Sequence, residues 1–255
     1  MRNPFRRPSS EPEQPEQPEQ PEQPEQPEQT RRALTAEDEA DLHEVARELV
    51  QPGFTDRDEV VLALEDYLAD VDPVAVAEAA ARIASQEWAR REAELAAAPG
   101  TGDYARLAAA FEALESEGVL ARMAFTCCNT CGTTEIDDER TPVEPAAGST
   151  YGFAQWAYTF FHQQDAERLG DPESPLYLTY SAFRPAPGVD PADLAASRDG
   201  DADARRRVVE QTDRIVGELV RDALVAQGLE VTWDGSPTQR IQVAVPDWRK
   251  PLPVD

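Results

Sequence analysis

All three cysteines of the 255-residue chain fall in one stretch, Phe125–Gly132, which reads FTCCNTCG. Within it, Cys128-Asn129-Thr130-Cys131-Gly132 has the C-x-x-C-G form of a zinc knuckle, a spacing that lets two thiolates reach one tetrahedral ion from a tight turn. Gly132 would supply the backbone freedom that turns amide groups toward the sulfurs. A knuckle contributes two ligands, and a structural zinc site uses four. The chain has no second C-x-x-C, so the remaining candidates are Cys127 and His162. His162 ends a β-prone stretch, and it reaches the knuckle if that stretch is a sheet neighbour of the strand before the cysteines. Asp165, three residues on, could be a further ligand or could orient the imidazole. The metal set expected from the sequence is therefore Cys127, Cys128, Cys131 and His162, with zinc as the ion.

The same thiols allow other readings. A buried cysteine behaves as a small hydrophobe, so packing alone is a sufficient account. C-x-x-C can also lower a thiol pKa, which would make Cys128 and Cys131 a thiol-redox pair, or ligands of an open zinc in an enzyme. Thioredoxin-like chemistry needs the motif at a helix start after a strand in a βαβ unit. Here the pattern favours antiparallel pairing, and the acids of TTEIDDE (Thr133–Glu139) would raise a nearby thiol pKa. A Cys127–Cys128 disulfide would close a strained ring, and three cysteines fall short of the four usual for an iron–sulfur cluster.

Other motifs carry less. Asp199, Asp201, Asp203 and Glu210 match positions 1, 3, 5 and 12 of a calcium loop, but Ala204 stands where the turn glycine belongs. These acids read better as the charged start of a helix. The chain holds no nucleophile elbow, phosphate loop or H-E-x-x-H motif. His43, the other histidine, lies among acids and reads as a surface residue. Trp233–Ile241 reads as a hairpin connection rather than a binding loop.

The elements that must position the cysteines follow from periodicity. Thr35 caps a first helix with Leu42, Val45 and Leu49 at helical spacing. Thr55, with Asp58 three residues on, starts a second whose stripe is Val60, Leu64, Tyr67 and Leu68. Asp72 and Pro73 start a third that runs to PGTG, and a fourth ends at Gly118. From Val119 the pattern changes. Val119–Thr126, Trp156–His162 and Leu176–Phe183 read as strands. Residues 202–227 form a long amphipathic helix closed by Gly228. Leu229–Trp233 and Arg240–Val245 alternate with period two around a turn, which signals a hairpin. The expected fold class is α+β: a helical N-terminal half (35–118), then a mostly antiparallel sheet covered by the long helix (119–250), together one domain over 33–250.

Composition bounds the setting. Residues 12–29 are six copies of Pro-Glu-Gln, which fit a polyproline II segment without an apolar face. Residues 1–32 are expected to be a disordered tail, and 251–255 a short C-terminal one. Net charge is −26, and removing the first 29 residues leaves −22. Such a surface repels phosphate backbones and anionic membranes and favours a basic protein partner. No apolar run of membrane-spanning length and no secretory leader is present, so a cytoplasmic location with reduced thiols is expected.

FTCCNTCG, YTFFHQQD (Tyr158–Asp165), LYLTY (Leu176–Tyr180) and GLEVTWDGSPTQRIQV (Gly228–Val243) together resemble an actinobacterial family known only as a domain of unknown function. PGFTDRDEVVLALEDYL (Pro52–Leu68) is similar to it as well, so the resemblance spans roughly 40–250. It implies no activity, substrate or cofactor. It does imply that the cysteine loop and FFHQQD belong to one domain. The function expected is a non-enzymatic interaction or regulatory domain with a Cys/His cluster, the alternative being a thiol-redox or zinc-dependent enzyme using Cys128 and Cys131.

Overall fold

The N-terminal helices are set by their caps. The computed structural model describes residues 31–254, so nearly all of the tail expected over 1–32 lies outside the described residues. Helix α1 (Ala36–Val50) opens on a reciprocal box in which Thr35 accepts the Asp38 N–H and Asp38 accepts the Thr35 N–H. Asp38 also receives the Arg32 guanidinium, which holds its carboxyl well below the usual carboxylate range. Helix α2 (Arg57–Tyr67) starts one residue later than Thr55 would have it. Asp56 is the cap, because Glu59 at the third helical position reaches back to the Asp56 N–H and closes the box. Helix α3 (Pro73–Ala97) has the expected Asp72 cap and first-position proline. Leu42, Leu64, Ile83 and Trp88 of these three helices form a core of their own, while Tyr67 turns outward.

Helix α4 (Gly102–Ser116) departs from the expected division. Its Leu107, Phe111 and Leu114 join the core of the sheet rather than that of α1–α3. The sheet runs in the order β1 (Val119–Arg122), β2 (Ala157–Phe160), β3 (Leu176–Ala182), β5 (Ile241–Ala244), β4 (Glu230–Thr232). Three pairings are antiparallel, and the hairpin aligns Val231 with Val243. The fourth is parallel: Val119 pairs with Ala157 and Arg122 with Phe160. A parallel pair needs a crossover, and the segment between the two strands supplies it with helix α5 (Asn129–Glu135) and a 3₁₀ turn (Ile136–Glu139). The region is thus a mixed sheet, not an antiparallel one around the cysteines.

After β2 come a one-turn helix α6 (Gln163–Ala166) and, beyond β3, helix α7 (Pro191–Arg198). Helix α8 (Ala202–Ala226) covers the sheet, burying Val208, Val216, Val220 and Leu224 against it. A Cβ on Gly217 would sit 2.6 Å from the Trp233 ring, so glycine lets the hairpin lie flat on the helix. Asp201 caps α8 by accepting from the Asp203 and Ala204 N–H groups, which is the role expected of that acidic run. The chain beyond β5 returns to the helical lobe. Trp248 is buried and donates to the Pro52 carbonyl, and Leu252 packs on the α1–α3 core. Among the described residues no helix is long and apolar enough to cross a membrane.

Candidate metal centre

The cysteine loop leaves the end of β1 by an abrupt turn. Ala124 (φ 48°) and Thr126 (φ 55°) both take left-handed backbone conformations, which cost L-residues about 1–2 kcal/mol each. Pairing with the segment after β2 holds them there. The Phe125 N–H donates to the Phe161 carbonyl at 2.9 Å, and the Gln163 and Gln164 N–H groups donate to the Thr126 and Cys127 carbonyls at 3.0 and 3.4 Å. The Phe125 ring meets Phe160 edge-on at 5.8 Å.

Cys128 is the cap residue of α5. Its backbone is extended, and its carbonyl accepts the Gly132 N–H at 2.9 Å. One turn of helix then brings Cys131 back toward Cys127, with their sulfurs 3.4 Å apart. The Sγ atoms of Cys127, Cys128 and Cys131 all lie within 4.8 Å of one another. Cys127 is exposed and the other two are half-buried, so the cluster faces solvent.

Gly132 has a different purpose from the one its motif suggested. It sits inside the helix without a left-handed φ, and a Cβ there would lie 2.5 Å from the Phe160 ring. Glycine lets α5 lie directly on Phe160, beside Leu120 and the fully buried Ile136. The helix that carries Cys131 is thereby pinned to the outer face of β1 and β2.

The Cys131 backbone N–H and then its thiol donate toward the Cys128 sulfur, and these bonds push the Cys128 thiol pKa down. Cys131 responds in the opposite sense and is pushed up to about 12, because the Cys127 and Cys128 sulfurs hold its proton. The expectation that neighbouring acids raise the thiols is thus not met at Cys128. Two of those acids are engaged elsewhere: Asp137 with Arg140 at 2.6 Å and Glu139 with Arg122 at 3.1 Å.

The segment of His162 pairs with the loop through its backbone, but its ring nitrogens are taken up by Asp165. As cap of α6 it accepts the Asp165 N–H at Nδ1 (3.2 Å), and Nε2 lies 3.0 Å from Asp165 Oδ2. Burial then holds the imidazole below its ordinary pKa. Asp165 is held in turn by the Arg240 guanidinium, which also donates to the Tyr177 carbonyl. The group of ligand atoms that converges among the described residues is the three thiols, and His162 lies outside it. Asp165, expected as a further ligand or as a support for the imidazole, contacts the imidazole and pairs with Arg240, and it is not among the ligand atoms that converge with the thiols. Arg240 carries no sequence signal, since nothing in its hairpin loop points to a residue 75 positions earlier.

His43, expected on the surface, binds Glu87 Oε1 at 2.7 Å. Glu87 is buried, which pushes its carboxyl up, but hydrogen bonds from Arg90, His43 and Arg47 prevail and hold it low. Two open cavities involve the segment after β2. One, of about 550 Å³, lies over His162 and Asp165 and is lined by Arg168, Tyr177 and Arg240. The other, of about 530 Å³, lies between Phe54, Leu62, Met123 and Ala124.

No curated protein and no solved structure matches the chain. A family model described as a domain of unknown function (DUF6891) matches residues 35–252, and the chain, with its cysteine loop inside that span, belongs to this family.

Proposed function

We propose that this domain binds one thiophilic metal ion through Cys127, Cys128 and Cys131, with zinc the candidate named by the knuckle, and serves as an interaction or regulatory module. The observation that carries this reading is the convergence of three sulfurs within 4.8 Å on a solvent-facing loop. Metal–thiolate bonds of about 2.3 Å place sulfurs on one ion roughly 4 Å apart, so the loop needs only small side-chain adjustment to close on an ion. His162 would have to give up both contacts with Asp165 to join, and the proposal leaves it out. Titration of the full chain with cadmium tests it. One equivalent should produce an ultraviolet sulfur-to-metal charge-transfer band that Cys128→Ser abolishes without changing the circular dichroism of the metal-free chain. A chain that gives no such band overturns the proposal.

A second reading is favoured by the parallel β1–β2 pair. It places Cys128-x-x-Cys131 at a helix start after a strand, the context a thiol-redox pair requires, and the Cys128 thiol is depressed there. Alkylation of the metal-free chain across pH separates the two cases. A Cys128 midpoint at or above about 8.5 counts against redox use.

A further inference from the structure

Sulfur is the donor type that the loop presents at this cluster. Asn129 Oδ1 is turned away to accept the Thr179 hydroxyl at 2.5 Å. The Thr126 hydroxyl donates to the Cys128 carbonyl at 3.4 Å, and those of Thr133 and Thr134 donate to the Thr130 carbonyl at 3.0 and 2.9 Å. Asp137 and Glu139 are paired with arginines, and both ring nitrogens of His162 face Asp165. Among the described residues no carboxylate oxygen or imidazole nitrogen joins the three sulfurs.

The ligand count then discriminates between ions. Structural zinc takes four protein ligands, and catalytic zinc fills its fourth position with water. Iron–sulfur clusters use four protein ligands. Copper(I) is a soft, filled-shell ion selected by thiolates, and it is satisfied by three of them without a fourth donor. Resting on the metal-binding reading above, we infer that the Cys127/Cys128/Cys131 cluster takes a copper(I)-class ion, monovalent and three-coordinate in sulfur, in preference to zinc. Binding replaces thiol protons with the ion, and no electron transfer is involved.

The test uses the full chain under anaerobic conditions, with copper(I) supplied as its acetonitrile complex and a chromophoric copper(I) chelator as competitor. The expected result is one copper(I) per chain, retained in the presence of excess zinc, with three sulfur scatterers by X-ray absorption. Cys127→Ser, at the exposed ligand, should weaken copper(I) binding by more than about tenfold, since even supporting residues around a metal are worth that much. A nitrogen or oxygen scatterer, two-sulfur coordination, or displacement of copper by zinc overturns this inference while leaving the thiolate-metal reading intact. A chain that binds neither cadmium nor copper(I) through sulfur removes both.

Discussion

At the scale of single residues, the cysteine trio was legible because its members are neighbours in sequence, and one helical turn is enough to bring Cys131 onto Cys127. His162 was not legible in the same way. Its ring direction is decided by Asp165, and Asp165 is anchored by Arg240 from the far hairpin. Gly132 shows a third case, where the residue was singled out correctly but for the wrong reason. Its small size matters because Phe160 fills the space a side chain would need. Gly132→Ala should therefore destabilise the fold by about 1–3 kcal/mol, the usual range for overpacking a core contact. Urea denaturation would show this as a lower midpoint at unchanged slope. Adding Phe160→Leu should recover part of the loss, because the clash is with that ring, and a purely additive double variant would refute the steric account.

At the scale of elements, capping and periodicity located α1, α3, α4 and α8 closely, since each has a starting side chain or an apolar stripe long enough to read. α5 was missed because seven residues of polar and small type carry no stripe, and the apolar anchor, Ile136, lies just beyond its end. Contacts between elements add a pH dependence that no single helix predicts. Glu87 on α3 holds His43 and Arg47 of α1, and its carboxyl stays below the ordinary value of 4.5. The unfolded chain therefore takes up this proton first on acidification. The network's contribution is complete above about pH 4.5 and is lost as the pH falls through the folded-state value. Melting temperatures of Glu87→Gln should lie below wild type at neutral pH and converge with it in acid. A constant gap across the range would show that Glu87 acts by packing alone.

At the scale of the whole molecule, the structure redraws how the two lobes are joined. α4 belongs to the sheet core, and the chain after β5 crosses back over the helical lobe. Trp248 is the centre of that return: it is buried, its indole donates to Pro52, and its carbonyl accepts from the buried Arg91. Nothing in the sequence marks Trp248, seven residues before Asp255, as a core residue, since it stands outside any periodic segment. Trp248→Ala should cost about 3–5 kcal/mol, the scale of removing a large buried aromatic. Hydrogen exchange should then speed up both at the start of α4 and around Pro52–Phe54. Loosening confined to the C-terminal residues would show that the return segment does not join the lobes.

The sequence by itself determined the α+β class, the long covering helix, the hairpin and the clustering of the three thiols. Each of these rests on interactions within a few residues or on one repeating stripe. Only the tertiary structure decided that β1 and β2 run parallel, that α5 lies on Phe160, and that His162 faces Arg240's partner instead of the sulfurs. Those outcomes depend on which distant surfaces compete for the same space. Such competition is settled by packing and charge pairing across the whole chain, and local pattern does not encode it.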